Sequence, residues 1–321
     1  MNILILQPRM DVAFKEGIVP DARGPIPPIR QHWLKFVELC ATEHRRRKDN
    51  VTILELPLWQ FTPEMVVKLN PDVVYVPHRE KHSFNVQSKK IRVLYYMQSI
   101  FPWIFYVDPL GFAGGASIYP MDIKSGNSRS SRFDVLQKYV HTGASKFEQP
   151  PTRGFDETDY VLFLCQLPHD QTILYHSDVT VEQALQETCE VTKKLNVRLI
   201  VKGHPVNPSS MMGLKSLCAK YTHSEWYDNI SIHDLIPNAR VVVVVNSGTG
   251  MESLLHLRPV VTYGRCEYDA VTMKVKLNDN LEQCITNPTI NEKNVRKFFD
   301  RWSSLTYDTT NPITFKQLGV Q

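Results

Sequence analysis

Short apolar runs alternate along the chain with segments in which apolar residues recur at helical spacing. Short apolar runs between polar turns are typical of strands, and spacings of three and four residues are typical of helices. In the first half this pattern predicts strands at residues 2–6, 51–56, 72–76 and 92–96, and helices at residues 31–46 and 62–69. Continuous apolar strands separated by helices form parallel sheets, so this half predicts a doubly wound α/β domain.

The second half shows the same alternation more regularly. It predicts strands at residues 160–165, 198–202, 230–233, 240–245 and 259–263. It predicts helices at residues 181–195, 212–221 and 251–257, and a helical turn at residues 234–237. A polar, proline-containing stretch at residues 121–152 precedes these elements, and only residues 133–139 within it have a helical pattern. We therefore predict two Rossmann-like domains that face a cleft, one spanning residues 1–150 and one spanning residues 151–290.

Composition agrees with this division. The 321 residues are enough for two domains, and an apolar content of 42% excludes wholesale disorder. The 37 basic and 33 acidic residues give a net charge of +4. Because no stripe of Lys and Arg interleaves with aromatic residues, binding to nucleic acid is disfavoured.

The sequence predicts neither a transmembrane segment nor a signal peptide. The longest uncharged stretch, residues 93–107, contains Pro102 and is shorter than the ~20 residues that a spanning helix needs. The N-terminal apolar run is short and follows no basic residue, which favours a buried strand. The six cysteines lack metal or redox spacing, so we expect buried thiols and a cytoplasmic location. The basic run at residues 45–48 favours a solvated helix end, with peripheral membrane contact as the alternative.

Three polar loops follow predicted strands of the second half. The first loop, after residues 240–245, has the sequence Asn246-Ser247-Gly248-Thr249-Gly250-Met251-Glu252. A turn that opens a helix offers backbone N–H groups and a favourable dipole to an anion. Gly248 and Gly250 would let a phosphate approach, and Ser247 and Thr249 would add hydroxyl donors. The alternative is a capping box in which Thr249 and Glu252 close the helix.

The other two loops add a histidine and a carboxylate. Lys202, His204 and Pro205 end the predicted strand at residues 198–202, and His204 would donate to a phosphate or protonate a leaving group. The alternative is a turn histidine that bonds to the local backbone. Asp170 follows the strand at residues 160–165 and would act as base or nucleophile, or else cap the next segment. Because all three loops follow strands of one parallel sheet, we expect them at one edge.

The first half offers candidates for an acceptor. Aromatic residues after the strand at residues 92–96 would stack on sugar rings, with a buried aromatic cluster as the alternative. These residues are Trp103, Phe105, Tyr106 and Phe112. Asp108 would contact an acceptor hydroxyl, and His78 follows the strand at residues 72–76.

These motifs together resemble the capsule-polysaccharide synthesis glycosyltransferases, a family that includes bacterial 3-deoxy-manno-octulosonic acid (Kdo) transferases. The resemblance covers about half of the chain, and it rests on the order and spacing of short motifs. They are Gln166-x3-Asp170 with Tyr175-His176-Ser177, Lys202-x-His204-Pro205, Asn246-Ser247-Gly248-Thr249-Gly250-x-Glu252 with Leu257-Arg258-Pro259-Val260-Val261, and the stretch at residues 95–111.

The resemblance implies the GT-B architecture, with the nucleotide-sugar donor on the C-terminal domain and residues 291–321 packing back across the cleft. His204 would then contact the donor phosphate, and Asp170 would act at the anomeric carbon, as nucleophile or ion-pair stabiliser in a retaining enzyme and as base in an inverting one. Glu252 would face the nucleotide ribose or cap the helix. The other implied donor-binding residues are Gln166, Lys202, Pro205, Ser247, Gly248, Thr249 and Gly250.

The implied reaction is sugar transfer to an oligosaccharide or glycolipid acceptor in surface-polysaccharide synthesis. A CMP-linked acid sugar is the expected donor, with UDP- or GDP-linked sugars as alternatives. No Asp-x-Asp motif is present, and the resemblance implies neither a metal nor another cofactor. Two other functions fit the same motifs: a nucleotide-sugar epimerase or hydrolase, and a non-catalytic subunit that binds a glycan or nucleotide.

Overall fold

The computed structural model describes residues 1–12, 26 and 28–318, and most of its strands coincide with the predicted apolar runs. The strands are β1 (Asn2–Pro8), β2 (Asn50–Leu56), β3 (Val73–Pro77), β4 (Arg92–Gln98), β5 (Ile104–Asp108), β6 (Tyr160–Leu164), β7 (Leu199–Lys202), β8 (Ser224–Tyr227), β9 (Ala239–Val244), β10 (Val260–Thr262), β11 (Met273–Lys274) and β12 (Thr306–Asp308).

The α-helices lie between these strands. They are α1 (Pro28–Arg46), α2 (Pro63–Leu69), α3 (Arg132–His141), α4 (Gln171–His176), α5 (Val181–Leu195), α6 (Met212–Cys218), α7 (Ile232–Leu235), α8 (Thr249–Leu255), α9 (Leu281–Thr286) and α10 (Glu292–Ser303). The predicted α/β class is confirmed.

One predicted strand is wrong. Residues 230–233 enter helix α7 instead, because the Ser231 side chain accepts a hydrogen bond from the His233 N–H and caps that helix. The strand at this place is β8, whose residues are only partly buried or exposed. An edge strand of this kind lacks the continuous apolar run that identifies buried strands.

The chain divides into two units, and the division lies earlier than residue 150. Unit 1 comprises Met1–Ser117 and the segment from Leu305 onward, and unit 2 comprises Ile118–Ser304. The polar stretch before residue 150 belongs to unit 2 because α3 packs on α10: the rings of Phe133 and Phe299 are 5.7 Å apart. Helix α10 therefore lies in unit 2, whereas the residues after it join unit 1.

Unit 1 contains a six-stranded sheet in the order β12-β5-β4-β3-β1-β2. Strands β2, β1, β3 and β4 are parallel to one another. Strand β5 runs antiparallel to β4, and β12 runs antiparallel to β5. Helix α1 covers this sheet with Phe36, whose ring stacks on Tyr96 at 4.8 Å and on Phe105 at 4.7 Å. The two antiparallel strands were not predicted from the sequence.

Unit 2 contains a fully parallel sheet in the order β11-β10-β9-β6-β7-β8. Every residue of β6 and β7 is buried, as is every residue of β9 except Arg240. This explains the continuous apolar runs in the sequence, since both faces of such strands are covered. The arrangement places the loops after β9, β6 and β7 side by side at one edge.

Two further expectations concern the chain as a whole. All six cysteines are free and buried, as predicted. Among the helices of the described residues, none has the length and apolar character needed to cross a membrane.

Candidate active site

Asp170 lies at the start of the loop-to-helix transition after β6. It is the N-cap of α4, and its Oδ1 accepts hydrogen bonds from the Thr172 N–H at 2.8 Å and the Thr172 hydroxyl at 2.7 Å. The capping interpretation of Asp170 is therefore confirmed. Both bonds end on Oδ1, so the cap fixes the orientation of the carboxylate at the carboxyl edge of the sheet.

Gln166 and Asn246 are buried and join the loops after β6 and β9. The Gln166 Oε1 accepts from the Asn246 N–H at 2.9 Å, and its Nε2 donates to the Asn246 Oδ1 at 3.0 Å. The Asn246 Nδ2 then donates to the Thr172 carbonyl at 2.8 Å. The amide of Gln166, which the resemblance assigns to the donor, is thus engaged in holding Asp170 and the Ser247 turn together. Asn246 belongs to the motif of the Ser247 turn, which gave it no role of its own, and these bonds make it a positioning residue.

His204 follows β7 and is half-buried. Its Nδ1 lies 3.1 Å from the Val206 nitrogen and accepts from that N–H, and the Phe147 ring meets its ring edge-on at 5.1 Å. Burial lowers the pKa of His204, which favours the neutral imidazole at pH 7. The Val206 carbonyl also lies 3.2 Å from Nδ1, so Nε2 carries the proton and can donate to a ligand in the tautomer whose Nδ1 accepts from the Val206 N–H, whereas in the other tautomer Nδ1 donates to that carbonyl.

The neighbours of His204 shape its loop. Lys202 is buried, and its ammonium donates to the carbonyls of Gly203 at 3.0 Å and Asp228 at 3.1 Å. A Cβ on Gly203 would lie 2.5 Å from the Asp228 Oδ1, so only glycine fits there. Pro205 is exposed. The Lys202 side chain therefore supports the loop from within.

The turn after β9 is not a capping box. Gly248 is the N-cap of α8 and no side chain caps this helix, so that alternative is wrong. The Ser247 Oγ instead accepts from the Thr249 hydroxyl at 2.8 Å and from the Thr249 N–H at 3.3 Å. Gly248 is exposed, and its lack of a side chain leaves the turn open to a ligand.

Gly250 has a different physical role from the one predicted. A Cβ at this position would lie 2.5 Å from the Tyr268 hydroxyl and 2.8 Å from the Tyr268 ring. The Tyr268 hydroxyl donates to the Ser247 carbonyl. Glycine is required here so that Tyr268 can pack beneath the turn and fix it.

Glu252 is buried and faces His233 across a short gap. Its Oε2 is 3.7 Å from the His233 Nε2, and neither atom has a hydrogen-bond partner among the described residues. Burial raises the pKa of Glu252 to about 8 and lowers the pKa of His233 to about 4. At pH 7 both groups are therefore neutral and do not form an ion pair. Ser145 also bonds to Glu252, which lies within unit 2 and is only 2% exposed.

These shifts predict a pH dependence of stability. The folded protein keeps the Glu252 proton up to about pH 8, whereas an ordinary glutamate loses its proton near pH 4.5. The protonated side chain therefore favours the folded state fully below pH 4.5, and this contribution to stability is lost as the pH rises to 8. We expect the free energy of unfolding to fall by up to ~2 kcal/mol between pH 6.5 and 8, and Glu252→Gln to remove most of this slope. Denaturant titrations across this range measure it, with the exposed Glu190→Gln as control. Equal slopes in Glu252→Gln and wild type would contradict the prediction.

Lys146 also reaches the site, and the sequence analysis missed it. It lies after α3, in the polar stretch at residues 121–152, and it is half-buried. It interacts electrostatically with Asp170, Glu252 and Glu267, and it contributes to lowering the pKa of His204. A single lysine in a polar stretch carries no sequence signal, because its position depends on how α3 packs in unit 2.

Most of the candidate side chains of unit 1 are buried or hydrogen-bonded within that unit. Asp108 is 2% exposed and accepts hydrogen bonds from the Tyr106 hydroxyl, the Ser117 hydroxyl and the N–H groups of Leu110 and Gly111. This carboxylate organises its own loop, which corrects the expectation that it contacts an acceptor hydroxyl.

The aromatic candidates favour the buried-cluster alternative. Phe105, Tyr106 and Phe112 are buried. Trp103 is half-buried and stacks on Phe101 at 5.3 Å. His78 has a φ of 47° and its ring lies 6.2 Å from that of Trp33.

The described residues contain no group of three or more His, Cys, Asp or Glu side chains arranged to hold a metal ion. Charged side chains near the strand-end loops of unit 2 include Lys146, Asp170, Lys202 and Asp228, and the lowered pKa of His204 favours its neutral ring.

The sequence model of a family described as capsule polysaccharide biosynthesis protein matches residues 128–300, more than half of the chain. Protein FixF of Sinorhizobium fredii (strain NBRC 101917 / NGR234) is 25% identical over 202 residues, which are 60% of this chain and 47% of that protein. The chain thus spans about half the length of this curated relative.

Two solved structures share the fold. The beta Kdo 2,7 transferase of Thermosulfurimonas dismutans KpsC superposes with a TM-score of 0.56 at 15% identity, over 93% of this chain and 90% of that one. The beta Kdo 2,4 transferase of the same protein gives a TM-score of 0.52 at 13% identity, over 83% and 87% of the two chains. At these identities the similarity concerns the fold, which this chain shares with the two Kdo transferases.

Proposed function

The chain belongs to the family of capsule polysaccharide biosynthesis proteins, and from this premise we propose that it is a glycosyltransferase whose unit 2 binds a nucleotide-sugar donor. The observation that carries the proposal is the convergence of Asp170, His204 and the Ser247 turn on one edge of a parallel sheet. Ligands of open α/β sheets bind at this edge. A neutral histidine donor, an open turn and an oriented carboxylate suit the departure of a phosphate from a sugar carbon.

Each group has a distinct role in the proposed reaction. The His204 Nε2–H donates to the donor phosphate and stabilises the charge that develops there as the sugar leaves. Ser247 and the exposed Gly248 line the phosphate position. Asp170 faces the anomeric carbon, where it acts as nucleophile or ion-pair stabiliser in a retaining reaction or as base in an inverting one.

We propose a CMP-linked acid sugar such as CMP-Kdo as the donor and a surface-polysaccharide glycan as the acceptor. The fold shared with the two KpsC transferases supports this choice over UDP- or GDP-linked sugars. We also propose that the reaction needs no metal, because a hydrogen bond from His204 and the backbone N–H groups of the turn after β9 would stabilise the charge on the leaving phosphate. Addition of a chelator would then leave the rate unchanged.

A time course by NMR tests the proposal. Each nucleotide sugar is incubated with the protein, with and without short glycan acceptors, and nucleotide release is followed together with the sugar signals. A transferase releases nucleotide only when an acceptor is present. Release without acceptor would indicate a hydrolase, changed sugar signals without release an epimerase, and binding without turnover a non-catalytic subunit.

Substitution of His204 distinguishes a role in binding the donor from a role in shaping the loop after β7. We expect His204→Ala to weaken donor binding by ~1.5–3 kcal/mol, about ten- to a hundredfold, since a hydrogen bond to a charged phosphate is lost. Calorimetric titration measures this loss. His204→Gln keeps an N–H donor and should retain part of the affinity. His169→Ala changes an exposed histidine near Asp170 and is the matched control. An unchanged affinity in His204→Ala would limit His204 to shaping the loop.

A further inference from the structure

We propose that one edge of the unit 1 sheet, where its parallel strands begin, docks on the surface of an anionic membrane. Three chain segments that lead into these strands present exposed basic side chains there, together with one exposed leucine. We call this set the basic face, and its members are Arg45, Lys48, Lys68, Leu69, Lys89 and Lys90. The proposal concerns unit 1 alone and goes beyond the proposed reaction.

The sheet aligns the starts of β2, β1, β3 and β4 in one row. Asn2 pairs with Asn50, and Val73 pairs with Arg92. The Asp72 N–H donates to the Asn2 carbonyl and the Arg92 N–H donates to the Asp72 carbonyl, both at 2.9 Å. Neighbouring strands are ~4.8 Å apart, so the four starts span only ~15 Å. The segments that enter the strands therefore lie side by side.

Each of the three segments carries its members of the basic face shortly before a strand. Helix α1 ends at Arg46 and leads into β2, helix α2 ends at Leu69 and leads into β3, and Lys89 and Lys90 precede β4. Leu69 is 52% exposed. Ile91 is buried, which fixes the loop before β4 to the core and leaves the two lysines in solvent.

The acidic side chains near this edge already have partners within unit 1. Glu43 pairs with Arg46 at 2.7 Å. The Asp49 side chain is buried, and the Asp72 carboxylate accepts from the Asn2 N–H at 2.7 Å. The basic side chains of the basic face form no hydrogen bond or ion pair with the described part of the chain. Their positive charge is therefore available to an anionic partner.

The combination of basic residues with an exposed leucine fits a lipid surface better than a nucleic acid. Clustered Lys and Arg side chains are attracted to anionic headgroups, and an apolar side chain among them enters the headgroup region, so that both contribute to binding. Proteins that bind single-stranded nucleic acids stack the bases on exposed aromatic rings. Within the residues that the structure describes, the strongly exposed large apolar side chains are all aliphatic.

Vesicle co-sedimentation of the full chain tests the proposal. The vesicles contain phosphatidylcholine alone, or equal parts of phosphatidylcholine and phosphatidylglycerol, and each is used at low and high salt. We expect binding to the anionic vesicles that falls steeply with salt, and little binding to the neutral ones. Since each basic residue near an anionic surface contributes about fivefold to the affinity, Lys89→Gln/Lys90→Gln should bind about thirtyfold more weakly.

Two further variants separate the local effect from net charge and from the apolar contact. Lys220→Gln/Lys276→Gln removes the same charge from exposed lysines of unit 2 and should bind like wild type. Leu69→Gln removes the apolar contact and no charge. It should weaken binding several-fold while the dependence on salt stays that of wild type.

Three outcomes would overturn the proposal. They are absence of binding to the anionic vesicles, equal binding to both kinds of vesicle, and an equal loss of binding in the two lysine variants. The soluble polyanion dextran sulfate is titrated in parallel, and binding to it without binding to anionic vesicles would assign the basic face to a polyanionic glycan instead. These measurements contain no nucleotide or acceptor, so their outcome is independent of the proposed function.

Discussion

Replacement of Asp170 by asparagine is expected to slow sugar transfer by about 10³-fold or more, while nucleotide affinity stays within a few-fold. The asparagine oxygen can still accept from the Thr172 N–H and hydroxyl, so the cap of α4 is kept. What the variant loses is the negative charge and the basic or nucleophilic oxygen. Initial rates of nucleotide release with acceptor, compared with calorimetric affinities, measure the two effects separately.

Asp178→Asn is the matched control for this prediction. Asp178 is an exposed carboxylate of the same unit that pairs with Arg265 at 3.2 Å, so its loss removes one negative charge outside the site. Its rate should remain near that of wild type. Full activity of Asp170→Asn would show that Asp170 only caps the helix and that the reacting carboxylate lies elsewhere.

Replacement of Asn246 by leucine is expected to destabilise the protein by ~2–5 kcal/mol. The leucine removes the side-chain bonds to the buried Gln166 amide and to the part-buried Thr172 carbonyl, and leaves the Gln166 Nε2 only a long bond of 3.4 Å to the Thr172 hydroxyl. Denaturant titration measures the stability. Because this network joins the Asp170 loop to the Ser247 turn, we also expect the turnover number to fall more than the donor affinity.

The double variant Gln166→Leu/Asn246→Leu tests whether the cost arises from the unpaired partner. Replacing both amides removes the Gln166 Nε2 and the Asn246 Oδ1, which each single variant leaves without the other, and only the Asn246 N–H and the Thr172 carbonyl still lose a partner. The double variant should therefore be less destabilised than the sum of the single ones. Strictly additive losses would show that the two side chains stabilise the protein independently. The loops after β6 and β9 would then be positioned by other contacts.

The sequence predicts the sheet of unit 2 well, because its central strands are buried on both faces. The apolar runs at β6, β7 and β9 mark the strands directly, and the edge at which their loops meet follows from the topology of parallel sheets. That reasoning brings Asp170, His204 and the Ser247 turn together. The predicted roles of these side chains remain predictions of the proposed function.

The parts that the sequence did not predict depend on contacts between distant segments. The aromatic residues of β5 do not show the pattern of a strand, so the sequence does not predict that Asp108 is buried at its end. The position of Gly250 in a glycine-containing turn predicts close approach of an anion, but the side chain of Tyr268, from a later loop, packs against Gly250 instead. Lys146 follows α3, and its electrostatic interaction with Asp170 depends on how that segment packs in unit 2. None of these contacts has a local pattern from which it can be derived.

The central claim, that unit 2 holds a nucleotide-sugar donor, is tested most directly by a binding panel. Thermal midpoints of the wild-type protein are measured with CMP, UDP, GDP and their sugar conjugates, each near a hundredfold excess over its dissociation constant, where a bound ligand adds ~2.7 kcal/mol of stability. We predict a rise specific to one nucleotide and its conjugates that survives in Asp170→Asn and shrinks in His204→Ala. A wild-type midpoint that none of these ligands moves, with no heat of binding by calorimetry, would contradict the account.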